Sequence, residues 1–146
     1  MIAYFDTSAL IPLLIEEPGS RRAGRVWDVA EHVASVRLIY TEARAALAQA
    51  ARLGRLAPAD LPRTLEGLEE LYGQLDLLEV DDLLVRRAGE LAQLHALRGY
   101  DAIHLAAAER VRGETTILVA GDGDLCVAAG TLGLAVADTS ADDGTA

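Results

Sequence analysis

The chain has 146 residues, of which 51% are hydrophobic, and this size and composition suit one folded domain with one substantial core. Its formal net charge of -10, from 23 acidic and 13 basic residues, argues against binding nucleic acid through a broad basic surface. No apolar run approaches the roughly 20 residues that cross a bilayer, and the N-terminus lacks the basic start of a signal peptide. The single cysteine cannot form an internal disulfide. We therefore expect a cytoplasmic protein without membrane contact.

The first half of the chain alternates between apolar runs and helical spacings. The run Ile2 to Phe5 has the pattern of a buried strand that ends at Asp6. Thr7 and Ser8 are typical helix-capping residues for a short helix that reaches about Ile15. The next predicted elements are a helix from Gly19 to Ala30, a strand from His32 to Val36, a helix from Leu38 to Leu53 stopped by Gly54, and a helix from Pro58 to Leu75.

The second half repeats this alternation. Thr115 to Ala120 is the clearest strand, because it is apolar and β-branched and ends in the turn residues Gly121-Asp122-Gly123-Asp124. We expect residues 1–138 to form a single domain and residues 139–146 to form a disordered C-terminal tail. The remaining predicted elements are a strand from Leu77 to Val80, a helix from Asp81-Asp82 to near Gly99, a helix from Asp101 to Val111, a short helix to about Ala129 and a strand from Leu134 to Ala137.

This order of elements predicts the fold class. Apolar strands separated by helices indicate a parallel central sheet covered on both faces, which is a three-layer α/β/α fold. In such sheets ligands bind beyond the carboxyl ends of the strands, where the winding direction reverses. Asp6 and Asp122 each follow a predicted strand, and the two share one crevice if those strands are neighbours. Glu42 and Asp101 lie near helix starts, so four acids can converge.

A convergent acidic cluster has chemical consequences. Neighbouring carboxylates repel one another, so such a cluster implies either bound cations or raised pKa values. Mg²⁺ or Mn²⁺ is the natural occupant, because these ions prefer oxygen ligands. One or two ions would activate a water, align it with a phosphodiester and stabilise the leaving oxygen. The pattern therefore predicts metal-dependent phosphodiester hydrolysis that needs no histidine as a base.

Each acid also has a purely structural explanation. Asp6 could cap the following helix, and Asp101 suits the dipole of its first helical turn. Glu42 could pair with an arginine, and Asp122 could shape a turn. His104 follows Asp101 by three residues and is interpreted as a structural histidine.

Two rival enzyme classes are disfavoured by single residues. A phosphoaspartyl phosphatase also places an aspartate after its first strand, but it ordinarily has a second acid two positions on, where Ser8 stands here. That class and the phospho-receiver domains both require a lysine, and the chain contains none.

Four segments resemble the signatures of the PIN-domain family and occur in the family's order. The resemblance spans Ile2 to Asp138, nearly the whole chain, and at this length it is greatest to VapC toxins. The segments are Phe5-Asp6-Thr7-Ser8-Ala9-Leu10, Tyr40-Thr41-Glu42-Ala43-Arg44-Ala45-Ala46-Leu47, Tyr100-Asp101-Ala102-Ile103-His104-Leu105-Ala106, and Ala120-Gly121-Asp122-Gly123-Asp124-Leu125.

The resemblance implies a sheet of order 3-2-1-4-5, Mg²⁺ or Mn²⁺ as cofactor, and endonucleolytic cutting of RNA. It implies that an acidic quartet is catalytic and binds the metal, directly or through water. It further implies that Thr7 or Ser8 lends a hydroxyl and that Asp124 is an accessory acid, with Asp122 and Asp124 as alternatives for the acid nearer the metal. Carried over by position, the quartet is Asp6, Glu42, Asp101 and Asp122.

The resemblance also implies partners. VapC toxins are inhibited by VapB antitoxins and commonly form homodimers. The acidic charge of this chain suits an antitoxin with a basic C-terminal tail. An arginine of that tail would compete with metal for the acidic site. The leucine-rich helix from Pro58 to Leu75 is a candidate dimer interface. The alternative is a PIN fold that binds RNA or protein without cutting.

Overall fold

The computed structural model of the chain describes residues 1–141, which form five strands and seven α-helices. Short 3₁₀ turns follow the first helix at Ile11–Leu13 and precede the fourth at Pro58–Asp60. The strands are β1 (Ile2–Phe5), β2 (His32–Val36), β3 (Asp76–Leu78), β4 (Thr116–Ala120) and β5 (Ala135–Asp138). The helices are α1 (Thr7–Leu10), α2 (Ser20–Val29), α3 (Ile39–Arg52), α4 (Leu61–Gln74), α5 (Asp82–His95), α6 (Gly99–Arg110) and α7 (Gly123–Thr131).

The five strands make one parallel sheet in the order β3-β2-β1-β4-β5, which confirms the predicted fold class and strand order. The central strand is β1, and it pairs with β2 on one side and β4 on the other. Phe5 of β1 lies beside Val119 of β4, so the two strands end at the same level of the sheet. Residues that follow β1 and β4 are thereby brought to one crevice at the carboxyl edge of the sheet.

Apolar side chains cover both faces of the sheet. Tyr4, Leu105 and Leu118 belong to the cluster that α5, α6 and α7 form on one face. Phe5 lies on the opposite face and packs edge-on against Trp27 at a centroid distance of 5.1 Å. Each large side chain removed from water in this way contributes about 1.5–3 kcal/mol to folding, so the layers hold the crevice rigidly.

Several helix boundaries differ from the sequence-based expectation, and two of the differences have a clear local cause. The cap of α1 is Asp6, whose carboxylate accepts a hydrogen bond from the Ser8 amide, so Thr7 and Ser8 are not the capping residues. The helix predicted to continue to Gly99 ends at His95, because Ala96 adopts a left-handed conformation with φ 53° and stops it. The chain then turns within three residues, which lets α6 fold back along α5.

The leucine stripe of α4 packs partly against the core of the domain. Leu68 is fully buried, and Leu61, Leu65 and Leu71 are partly buried against the same cluster, which also contains Leu47 of α3. The dimer interface expected on this helix stays a prediction. Within residues 1–141, no helix is long and apolar enough to span a membrane.

The ordered fold reaches beyond residue 138. Thr139, the first residue of the predicted tail, is only 3% exposed, and its amide donates a hydrogen bond to the carbonyl of Ala120. Ser140 donates to the carboxylate of Asp138. The predicted tail therefore starts too early, and its last five residues, 142–146, lie outside the described part of the chain.

Candidate active site

Asp6 lies at the centre of the carboxyl edge of the sheet, directly after β1, and is only 4% exposed. Its Oδ2 accepts hydrogen bonds from the Ser8 amide at 3.2 Å and from the Ser8 hydroxyl at 2.5 Å. Ser8 Oγ in turn accepts from the Gly121 amide at 2.8 Å. These contacts tie the end of β1 to the end of β4 and leave Asp6 Oδ1 for the contact with His104.

A buried imidazole connects Asp6 to Glu42. His104 on α6 is 1% exposed, and its Nε2 lies 2.8 Å from Glu42 Oε1 and 3.3 Å from Asp6 Oδ1. On the other side of the ring, Nδ1 is 2.9 Å from the hydroxyl of Tyr4. The Thr7 hydroxyl is 3.4 Å from Nε2, at the long end of a hydrogen bond.

The electrostatics favour a protonated His104. Burial by itself lowers the pKa of the ring, but Asp6 and Glu42 outweigh it and raise the pKa above its usual value. In the imidazolium the Nε2–H faces Glu42 and Asp6 and the Nδ1–H faces the Tyr4 hydroxyl, so one positive charge lies beside both carboxylates. Burial, followed by the charge of Asp6, raises the pKa of Tyr4 well above its usual value and keeps its hydroxyl neutral.

A guanidinium connects the other two acids. Arg98, which precedes α6, places Nε 3.2 Å from Asp101 Oδ2 and Nη2 3.5 Å from Asp122 Oδ2. Asp122 Oδ1 accepts from the amides of Asp124 and Leu125 and so caps α7. One carboxylate of Asp122 thus serves both the helix cap and the crevice.

The two pairs of acids share one electrostatic environment. Burial raises the pKa of Asp101, and the charges of Asp122 and Asp6 raise it further, while Arg98 opposes the shift. Repulsion of this kind is felt because the three carboxylates border one crevice and Asp101 is partly buried, so that water screens their charges less. The crevice therefore retains negative charge that His104 and Arg98 do not fully neutralise.

The donor set suits Mg²⁺ or Mn²⁺. Among residues 1–141, no three histidine, cysteine or acidic side chains already form a metal cage. Mg²⁺ does not need one, because it usually binds through one or two carboxylates and keeps several waters. The raised pKa of Asp101 indicates a site where added positive charge is favourable, so these residues fit a divalent cation.

All four acids predicted from the sequence border this crevice. Of the predicted accessory residues, Ser8 contacts the acids through its side chain and Asp124 does not. Ser8 bonds to Asp6, whereas Asp124 is exposed and only its amide contacts Asp122. Asp122 is the acid that touches Arg98, so it lies deeper than Asp124. The structural alternative for Glu42 was a salt bridge with an arginine, but within residues 1–141 its ion-pair partner is His104.

Two residues that matter here were missed or undervalued from the sequence. Arg98 carried no prediction, although it stands three residues before Asp101 at the spacing of neighbours on a helix. His104 stands three residues after Asp101, also at helical spacing, and was interpreted as purely structural. Its contact with Glu42 joins positions 62 apart in the chain and has no local signal.

Comparison with known proteins gives a consistent result. The PIN domain profile matches residues 3–130. Ribonuclease VapC45 of Mycobacterium tuberculosis (strain CDC 1551 / Oshkosh) is 38% identical over 141 residues, which cover 97% of this chain and 98% of that protein. Ribonuclease VapC46 of M. tuberculosis (strain ATCC 25618 / H37Rv) is 35% identical over 133 residues, covering 91% and 94% respectively.

Solved structures share the fold. PAE2754 from Pyrobaculum aerophilum superposes with a TM-score of 0.68 at 25% identity, covering 96% of this chain and 85% of that one. A toxin-antitoxin complex from Klebsiella pneumoniae contains a chain with a TM-score of 0.65 at 20% identity, covering 94% and 97%. With the profile match over most of its length and close relatives along all of it, the chain belongs to the PIN-domain family.

Proposed function

We propose that this chain is a metal-dependent endoribonuclease and the toxin of a VapBC-type toxin-antitoxin pair. The observation that carries the proposal is the meeting of Asp6, Glu42, Asp101 and Asp122, from four distant segments, in one partly buried crevice. Relatives that match nearly the whole chain are named ribonucleases, and one structural neighbour is described as a toxin-antitoxin complex, which supports both parts of the proposal.

In this proposal the four acids bind one or two Mg²⁺ ions, for which Mn²⁺ substitutes. When bound, the metal supplies an activated water and neutralises charge on the phosphate. Asp6 is held in place by Ser8, so its orientation is set before any ligand arrives. His104 keeps Glu42 turned toward Asp6, while Thr7 and the exposed Asp124 are accessory groups at the edge of the site.

We also propose the partners. A VapB-type antitoxin with a basic C-terminal tail suits a chain of net charge -10. The position of Arg98 supports this proposal, because a guanidinium of the chain itself already pairs with two of the acids, Asp101 and Asp122. We further propose that the toxin acts as a homodimer in the cytoplasm, where its RNA substrate is found, and that one domain carries the whole activity.

The decisive test compares the wild type with Asp6→Asn. Purified wild type should cleave RNA with Mg²⁺ or Mn²⁺ and not with EDTA, and sequencing of RNA ends after induced expression should reveal new termini that the variant does not produce. Circular dichroism and gel filtration should be unchanged in the variant, since asparagine retains the oxygen that caps α1. A wild type that binds RNA without cutting it under any metal condition would instead establish a non-catalytic binding module.

A further inference from the structure

A cavity of about 710 Å³ opens between α5 and α6 immediately beside the acidic crevice. Glu42 and Asp101 belong to its wall, so the cavity and the proposed site of cleavage are continuous. The remainder of the wall is mostly apolar and includes Val85, Ala92 and Ile103. Its volume lies in the range of pockets that bind small organic groups.

The rim of the cavity carries two groups suited to a nucleotide. Tyr100 is 60% exposed although it is a large aromatic residue, and it lines the cavity one position before Asp101. Arg98 also lines the cavity, and its side chain is 84% exposed. An aromatic ring stacks on bases of any identity, and a guanidinium binds phosphate.

The charge of the chain determines what kind of RNA contact is available. With a net charge of -10, the protein cannot rely on the phosphate attraction that supplies most of the affinity of basic nucleases. Base stacking and the burial of apolar surface remain as sources of affinity for RNA. Both require a base that is not stacked inside a helix. An apolar cavity beside the acids supplies such a contact.

We propose that this cavity, the base pocket, receives one unstacked nucleobase next to the scissile phosphate, with Tyr100 stacked on the base and Arg98 on the adjoining phosphate. The inference rests on the proposed function and adds to it a subsite for one base beside the scissile phosphate. A base that is paired in a duplex cannot enter this subsite.

The base pocket can be filled without disturbing the fold. Gly89 on α5 lines it, and a side chain added there meets no atom within 4 Å of its Cβ. Gly89→Leu therefore places an apolar side chain at the cavity and also removes a helix-weakening glycine. The matched control is Gly73→Leu, since Gly73 on α4 is equally open and does not line the cavity. Tyr100→Ala removes the stacking ring, and Tyr100→Phe keeps it.

The test measures the binding of a fluorescent mixed-sequence 12-nucleotide RNA, single-stranded or annealed to its complement, in Ca²⁺ as an oxygen-binding cation. We expect the wild type, Gly73→Leu and Tyr100→Phe to bind the single strand at least about tenfold more tightly than the duplex. Gly89→Leu and Tyr100→Ala should weaken single-strand binding roughly tenfold or more, the loss expected for one stacked base.

Three outcomes would overturn the base pocket. The first is equal binding of duplex and single strand by the wild type. The second is wild-type affinity in both Gly89→Leu and Tyr100→Ala while the wild type still cleaves RNA, which rejects the pocket and leaves the nuclease proposal standing. The third is a change of oligomeric state in Gly89→Leu by sedimentation with RNA affinity unchanged, which would assign the groove to a second copy of the chain. Pocket-dependent binding without any cleavage in Mg²⁺ would support the pocket and reject the nuclease.

Discussion

Replacing Asp101 by asparagine should stabilise the metal-free protein while removing its activity. Asp101 lies in the first turn of α6, where a negative charge is ordinarily favourable. In this protein burial and the charges of Asp122 and Asp6 raise its pKa, so the ionised carboxylate is less favourable in the folded state than in the unfolded chain. Asparagine has nearly the same shape and no charge, and it therefore relieves the repulsion.

The size of the effect follows from two opposing contributions. Each unit by which the pKa of a carboxyl rises corresponds to about 1.4 kcal/mol against the folded, ionised form. The lost ion pair with Arg98, whose side chain is 84% exposed, is worth less than about 1 kcal/mol. We expect Asp101→Asn to raise the free energy of unfolding at pH 7, and for a chain of this size each 1 kcal/mol gained raises Tm by roughly 2–4 °C.

The assay is thermal unfolding followed by circular dichroism, in EDTA, at pH 7 and at pH 3.5. Because the folded-state pKa of Asp101 is raised, the penalty is fully present above that pKa and disappears as the pH falls below the usual value of 3.8. The advantage of Asp101→Asn should therefore be present at pH 7 and shrink at pH 3.5. Added Mg²⁺ should raise the Tm of the wild type and have little effect on the variant.

Asp82→Asn is the matched control. Asp82 also lies in the first turn of a helix and pairs with an arginine of that helix, Arg86, but its side chain is 77% exposed. Its replacement should lower Tm slightly, as expected from the helix dipole alone. A lower Tm for Asp101→Asn at pH 7 in EDTA would refute the argument that the crevice holds uncompensated negative charge.

Three further predictions concern contacts and metal. His104→Leu should lower the free energy of unfolding by about 3 kcal/mol, because the Tyr4 hydroxyl and Glu42 lose their buried partner. Urea titrations measure this loss. A loss below about 0.5 kcal/mol, which is typical of a surface substitution, would show that the two contacts contribute little to stability. Glu109→Gln should cost about 1 kcal/mol at pH 7, since two hydrogen bonds from Arg87 hold the pKa of Glu109 below its usual value of 4.5. That difference should shrink as the pH falls through the lowered pKa, because protonation of Glu109 removes the stabilisation, and a pH-independent difference would argue for packing instead. Mg²⁺ or Mn²⁺ at saturating concentration should raise the wild-type Tm, and removal by EDTA should reverse the shift; an unchanged Tm would count against a metal site in the crevice.

The sheet was predictable because its signals are local. β2 has the predicted bounds, His32–Val36, and β4 differs by one residue, since each is a compact apolar run flanked by polar or turn residues. The end of α5 was not predictable, because the left-handed residue that stops it is Ala96, and alanine carries no signal for that conformation. Position 139 was assigned to the tail because the burial of a terminal threonine depends on neighbours distant in sequence.

The candidate site was predictable only as a set of acids. The order of the strands places Asp6 and Asp122 together, and that order came from the family resemblance rather than from residue patterns. How the acids are compensated depends on tertiary contacts, since Glu42 on α3 meets His104 on α6 only after both helices pack on the sheet. Arg98 was overlooked because a single exposed arginine beside a turn is ordinarily a solvated residue.

The position of β1 in the middle of the sheet has a consequence for folding. β1 needs neighbours on both sides, and its second neighbour, β4, begins only at Thr116. Pairing Ile2 with Thr116 closes a long loop of chain, and contacts between residues so distant in sequence form slowly. The acidic crevice is complete only after this pairing, because the pairing brings Asp122 to the edge of the sheet where Asp6 lies.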